Sequence, residues 1–397
     1  MAWPPALLRA HPAQLLLTIL ALGLLLSGCQ PQQEPALARA DVVEMLSVQP
    51  DPNFARAYEP RPFRFPQDHG PHPAFRTEWW YFTGNLLDEQ GQPYGFQLTF
   101  FRTGLQAKPE ERASSWASSQ LYMAHFAITD GPGDQHVSFD RFSRGGNELA
   151  GATGEPRFAV WLEDWSAQET EPGLFRLRAR AATQEGPVAL DLTLRERRPP
   201  LLHGRQGLSQ KGPEPGNASY YYSLVGLETQ GTLTLPRGVV PVTGVSWMDH
   251  EFGTSALSSD AVGWDWFGLQ LEDGTALMFA QIRTASGPPQ TIFQGTLAWP
   301  DGRQEPIRAQ DFQLEPLGRW TSPVTGITYP SGWRVRFPKF DLELTLEPIV
   351  RDQEMRVAFV YYEGAVQVQG ERAGQPVQGW GYVELTGYGG QGNGVAR

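Results

Sequence analysis

The strongest constraint on the fold is that the chain repeats itself in hairpins of strand period. A run over Glu78–Leu86 passes through turn chemistry at Asp88-Glu89-Gln90-Gly91-Gln92 into a return run over Tyr94–Arg102. The pattern restarts at Gly263, with Trp264–Leu271, a turn at Glu272-Asp273-Gly274 and a return over Thr275–Arg283. In this overlay Trp80-Tyr81 lies on Trp266-Phe267, and Arg102 lies on Arg283. The ends repeat as well: Val242–Asp249 overlies Val377–Glu384, and Tyr221-Tyr222 corresponds to Tyr361-Tyr362. Two copies of one all-β unit follow.

No stretch outside the N-terminus keeps a helical period over three turns. Strands that run up and down and close on themselves remove exposed edges, and a barrel of about eight can hold one small ligand. The expectation is therefore two tandem lipocalin-like antiparallel β-barrels packed together, over residues 72–238 and 239–392; a pair of β-sandwiches is the alternative. The 43 Gly and 34 Pro, with 12% aromatics, suit short strands and tight turns. A net charge of −11 without a basic patch argues against a nucleic-acid groove.

The N-terminus reads as a leader rather than as fold. Arg9 and His11 precede an apolar run over Leu15–Leu26, too short for a full membrane span and suited to a signal peptide over residues 1–28. It ends in Leu26-Ser27-Gly28-Cys29, which looks like a bacterial lipobox, with Cys29 as the lipidation site and membrane anchor. An ordinary signal peptide or a single anchor helix is the competing reading. Cys29 is the sole cysteine, which excludes an internal disulfide and a CxxC metal site. Gln30 follows it, which by likeness to known lipoproteins favours the outer membrane of the cell envelope, facing the periplasm. Residues 29–71 read as a tether and packing strap, with Phe63 and Phe65 interleaved with Arg61 and Arg64.

The residues able to carry chemistry concentrate in Val242–Leu271, which holds Trp247, Trp264 and Trp266 together with Asp249, Glu251, Asp260, Asp265 and His250. Carboxylates beside large aromatics are costly to bury unless paired, hydrogen-bonded or protonated, so the stretch builds either a polar network or a site. Alternation places Asp249, Glu251 and Trp247 on one face and His250 on the other. A carboxyl group against aromatic surface has its neutral form favoured, which makes Asp249 and Glu251 candidate proton donors near neutral pH. A structural network joining the two barrels is the competing role. Glu78 and Trp80 share a face, and Trp79 and Tyr81 share the opposite one, so one tryptophan enters the barrel. Asp265 faces away from Trp264 and Trp266. His125 sits in an aromatic strand, where a satisfied core histidine competes with a binding role. No metal centre is expected, because among the histidines of the mature chain only His69 and His72 lie close in sequence. No GxSxG motif supports a serine hydrolase.

These residues resemble the AttH/CrtC family, which includes carotenoid 1,2-hydratase and proteins labelled predicted secreted hydrolases. The matching stretches are Glu78–Leu86 after His72-Pro73, Tyr122–Ala127, Trp247–Gly253, Gly263–Trp266, Trp320–Ser322, Tyr329–Trp333, Tyr362–Val366 and Gly381–Tyr388. The resemblance implies a pair of lipocalin-like barrels, in agreement with the repeat. It also implies cofactor-independent hydration of an isoprenoid or lipid-like substrate: protonation of a C=C bond gives a tertiary carbocation that water captures. Asp249 or Glu251 would then donate the proton. Trp247, Trp80, Trp264, Trp266 and Tyr81 would line the pocket, with Glu78, Trp79, His125, His250 and Asp265 completing the substrate-binding set. The alternative function is an anchored carrier that hands a lipophilic ligand to an ABC-type exporter.

Overall fold

A computed structural model describes residues 52–108, 114, 116–212, 214–254, 261–285 and 295–389, which fall in one compact unit. The expected leader, the lipidation site Cys29 and the first part of the tether lie outside the described residues. Among the described residues, strands dominate, with three short 3-10 turns.

The first sheet runs in the order Gln135–Arg144, Gln120–Asp130, Pro93–Gly104, Thr77–Leu87, Gly238–Gly253, Ala218–Leu235, Pro187–Arg195, Leu174–Ala182, Trp165–Glu171, Ala159–Leu162 and Ala150–Thr153. It curls into a nearly closed barrel. The second sheet runs Gln304–Ile307, Gly295–Ala298, Ala276–Thr284, Ala261–Leu271, Gln375–Leu385, Val360–Arg372, Leu342–Pro348, Trp333–Phe337 and Gln313–Pro316, and forms a half-barrel. All pairings within both sheets are antiparallel, so each strand alternates between a barrel-side face and an outer face.

Two details depart from the sequence reading. The seam expected between residues 238 and 239 falls later, because Gly238–Gly253 pairs with both Thr77–Leu87 and Ala218–Leu235 and completes the first sheet. The repeat is also offset by one residue. Tyr81 lies opposite Asp249 and Trp266 lies opposite Glu384, so Tyr81 corresponds to Trp266 rather than to Phe267. A one-residue slip moves every side chain to the other face of a sheet, and composition alone does not detect it where both faces are apolar.

Both faces are buried here because the sheets pack against each other. Trp80, Phe82, Phe96 and Leu98 fill the first barrel, and Phe267, Leu269, Trp333 and Val335 fill the second. Between the sheets lies a third layer that includes Tyr81, Trp247, Trp266, Met278, Ala365 and Tyr382. Gly95 permits this approach, since a Cβ there would stand 2.6 Å from the Cβ of Ala365. From residue 52 onward the expected packing strap lies on the first barrel. Phe54 and Ala57 are buried, Phe63 meets Tyr222 edge-on at 5.6 Å, and Tyr220 donates a hydrogen bond to the Glu59 carbonyl at 2.8 Å.

Candidate active site between the sheets

A cavity of about 180 Å³ lies between the two sheets rather than inside either barrel. Outer-face residues of both repeats line it: Trp79, Tyr81, Tyr221, Asp249 and Glu251 from the first, and Trp264, Trp266, Tyr361, Glu363 and Glu384 from the second. Phe101, Met123, His125 and Phe359 form a further part of the wall. The cavity is thus an aromatic box with acids set into it.

Asp249 is the most elaborately held of these acids. Tyr221 donates to its Oδ2 at 2.6 Å, Trp247 Nε1–H donates to its Oδ1 at 2.6 Å, and the Ser223 hydroxyl bonds Oδ1 as well. Ser223 in turn meets His203 Nε2 at 2.6 Å, and His203 Nδ1 meets Thr296 of the second sheet at 3.0 Å. Burial outweighs the three hydrogen bonds, and with Glu251 nearby it pushes the Asp249 carboxyl up to about 7. Glu251 pairs with Lys211 Nζ at 2.7 Å and also accepts from Ser219.

The second sheet contributes a different arrangement. Glu363 and Glu384 stand directly opposite each other on adjacent strands, which brings their Cβ atoms to about 5 Å. Tyr81 donates to Glu363 Oε2 at 2.8 Å and Trp264 Nε1–H donates to Glu384 Oε1 at 2.9 Å. Burial raises both carboxyls. Glu384 reaches about 7, and the charge of Glu384 helps hold Glu363 well above the carboxylate range. With the charges of Asp249 and Glu251 also raising Glu384, and Glu363 held well above the carboxylate range, this pair keeps a proton at neutral pH.

His125 presents a buried ring nitrogen of the cavity wall that lacks a partner among the described residues. Its Nδ1 meets the Tyr361 hydroxyl at 2.8 Å, whereas Nε2 has no hydrogen-bond partner among the described residues. A buried polar atom without a partner costs about 1–3 kcal/mol. Burial lowers the imidazole to about 3, so the ring is neutral.

Several expected site residues lie elsewhere. Glu78, Trp80 and His250 face the interior of the first barrel, away from the cavity. Glu78 Oε1 is held by His72 Nδ1 at 2.8 Å and His250 Nε2 at 2.9 Å, and Arg102 Nε donates to Oε2 at 2.7 Å. Trp80 stacks on His250 at 5.0 Å and donates to the His69 carbonyl at 2.8 Å. Tyr222 hydroxyl bridges His69 and His250, which ties the strap to the barrel. Asp265 faces the second barrel, where Arg283, Gln281 and Tyr388 hold it. Trp247 supports Asp249 from behind and packs edge-on to Trp266 at 6.1 Å.

Among the described residues, His72, Glu78 and His250 bring potential ligand atoms within 4.8 Å of one another. That cluster does not suit a resident cation. Arg102 is fully buried against the same carboxylate, and both imidazoles already hydrogen-bond to it.

Sequence reasoning missed Glu363, Glu384, Tyr221, Tyr361 and Lys211 as cavity residues, and Ser223 as a support of Asp249. A signal existed for one of them. The overlay places Asp249 on Glu384, so carrying the site across the repeat would have found it.

The AttH-like family matches residues 56–388. An AttH protein from Nitrosomonas europaea, known from a crystal structure, is 35% identical with a TM-score of 0.74, and the match covers 84% of this chain and 100% of that one. Kievitone hydratase of Fusarium solani subsp. phaseoli is 25% identical over 226 residues, 52% of this chain. The chain spans 59% of that hydratase's length. The crystal structure of kievitone hydratase from Nectria haematococca shares the fold, with a TM-score of 0.61 at 15% identity over 86% of this chain and 98% of that one. With its sheets, its cavity and this match over nearly the whole folded region, the chain belongs to the AttH-like family.

Proposed function

We propose that the protein is a cofactor-independent hydratase that adds water to a carbon–carbon double bond of a lipophilic substrate in the cavity between the sheets. The observation that carries this reading is Asp249, a buried carboxyl on the cavity wall, raised to about 7 and set among Tyr221, Trp247 and Trp266. Its protonated form donates H⁺ to one alkene carbon, leaving a carbocation on the other. The faces of Trp79, Trp264 and Trp266 attract that cation. Water attacks it and gives its proton to the Glu363–Glu384 pair, which holds a vacant site while it carries a single proton. Proton return from that pair to Asp249 through cavity water resets the enzyme. Likeness to kievitone hydratase supports the reaction class.

The test is incubation in heavy-oxygen water with a panel of isoprenoid alkenes and prenylated phenols, followed by mass spectrometry. Wild type should give a product heavier by one labelled water. Asp249→Asn should lower turnover about 10²–10⁴-fold with ligand affinity kept. Binding without any labelled product would instead make the protein a carrier, and Asp249→Asn would then change nothing measurable.

A further inference from the structure

We infer that the ligand of this cavity carries an acceptor oxygen, a carbonyl or hydroxyl oxygen on an otherwise hydrocarbon body, and that His125 Nε2–H binds it. The inference rests on the cavity assignment above and adds the chemical class of the ligand. Among the described residues the Tyr361 hydroxyl meets a single partner, His125 Nδ1 at 2.8 Å. If Nδ1 carried the hydrogen, two polar groups would go unmatched: the buried phenolic O–H and the lone pair of Nε2. If Tyr361 donates, one group goes unmatched, the Nε2–H. The second count is the smaller, so the ring presents a donor.

His125 is 1% exposed, so bulk water does not satisfy that donor. Its ring neighbours are Phe101, with centroids 5.3 Å apart, and Phe359 at 6.3 Å, both of which also line the cavity. Aromatic faces accept an N–H only weakly. The acids of the cavity already have protein donors, from Tyr221 and Trp247 on Asp249, Tyr81 on Glu363 and Trp264 on Glu384. His125 is therefore a residue of the cavity wall that carries a buried donor with no partner among the described residues. An all-hydrocarbon ligand would leave it unmatched, whereas an oxygenated one completes it. A site built to hydrogen-bond its ligand discriminates sharply against the analogue that lacks the group.

The experiment compares two isosteric probes on the full chain by tryptophan fluorescence and calorimetry. One is geranylacetone, and the other is the triene in which C=CH₂ replaces its C=O. The native protein should bind the ketone about tenfold or more tightly, and His125→Phe should bind both alike. Asp249→Asn should keep the preference, because it alters the chemistry and not this contact. Equal affinities in the native protein, or a preference that survives in folded His125→Phe, overturns the inference. A lost preference together with intact water addition would leave the hydratase reading standing, and a kept preference without water addition would leave this one standing. Should His125→Phe fail to fold, nitrogen NMR of histidine-labelled native protein decides. The Nε2–H tautomer, with that nitrogen shifting on addition of ketone and not of triene, is the result expected, and the Nδ1–H tautomer overturns it.

Discussion

The two repeats place their equivalent strands around the same cavity, yet they furnish it differently. At corresponding positions the first repeat carries Ser223 opposite Asp249, and the second carries Glu363 opposite Glu384. The first pair is an acid beside a neutral hydroxyl, held by Tyr221 and Trp247 and backed by His203. The second is a pair of acids with one hydrogen bond from Tyr81 and one from Trp264. In the proposed reaction a raised acid held by neutral donors is suited to giving up a proton, and two raised acids on facing strands are suited to taking one. The two faces are similar, and the difference between Ser223 and Glu363 is what the proposed division of proton roles rests on.

The barrel-side faces differ as well. Arg102 and Arg283 correspond, but Arg102 pairs with Glu78 in full burial, whereas Arg283 pairs with Asp265 at 15% side-chain exposure and lies over Tyr388. The largest expected effect tests that contrast. Glu78→Gln should leave Arg102 buried without its counter-charge and cost about 3–5 kcal/mol in denaturant unfolding, with the strap loosened from His72. Asp265→Asn should cost less, about 1–2 kcal/mol, because solvent and the Tyr388 ring still serve Arg283. Equal costs would mean that the two barrels are held in the same way.

Next in size is the acid pair. Glu363→Gln and Glu384→Gln should each lower kcat about a hundredfold while leaving single-turnover protonation at Asp249 intact, as read by deuterium incorporation from heavy water into bound alkene. Loss of deuterium incorporation along with kcat would assign the second pair to proton donation and remove the division of labour.

A last contrast lies in the pH dependence of stability, spread thinly over several pH units. Asp249 sits at about 7 in the folded state against 3.8 as its ordinary value. Between those values the folded chain keeps a proton that the unfolded chain has released, so this contribution is complete at low pH and fades as pH rises through about 7. Glu384 adds the same sign over a similar window, from 4.5 to about 7. Each should contribute a slope of at most about 1.4 kcal/mol per pH unit, removed by Asp249→Asn and by Glu384→Gln respectively. Equal flattening by the two variants would show the two repeats equally desolvated, and a flat wild-type profile would contradict the burial of both acids.

Much of the architecture was legible in the chain itself. The hairpin repeat announced two all-β units, and strand alternation correctly put Trp79 and Tyr81 on one face and Trp80 on the other. The same alternation set Asp249 and Glu251 together and turned His250 away. These are local consequences of a period of two, which any short run of residues carries. Three matters needed tertiary structure. The Gly238–Gly253 strand could belong to either repeat until its partners were known, because pairing is a long-range choice. Whether Glu78 or Glu384 met the cavity depended on which face of each sheet was covered by the other sheet, and in this molecule both faces are buried, so burial leaves no mark on composition. The orphaned Nε2 of His125 is invisible in sequence for a further reason: a missing partner is a property of the space around an atom, and only packing creates that space.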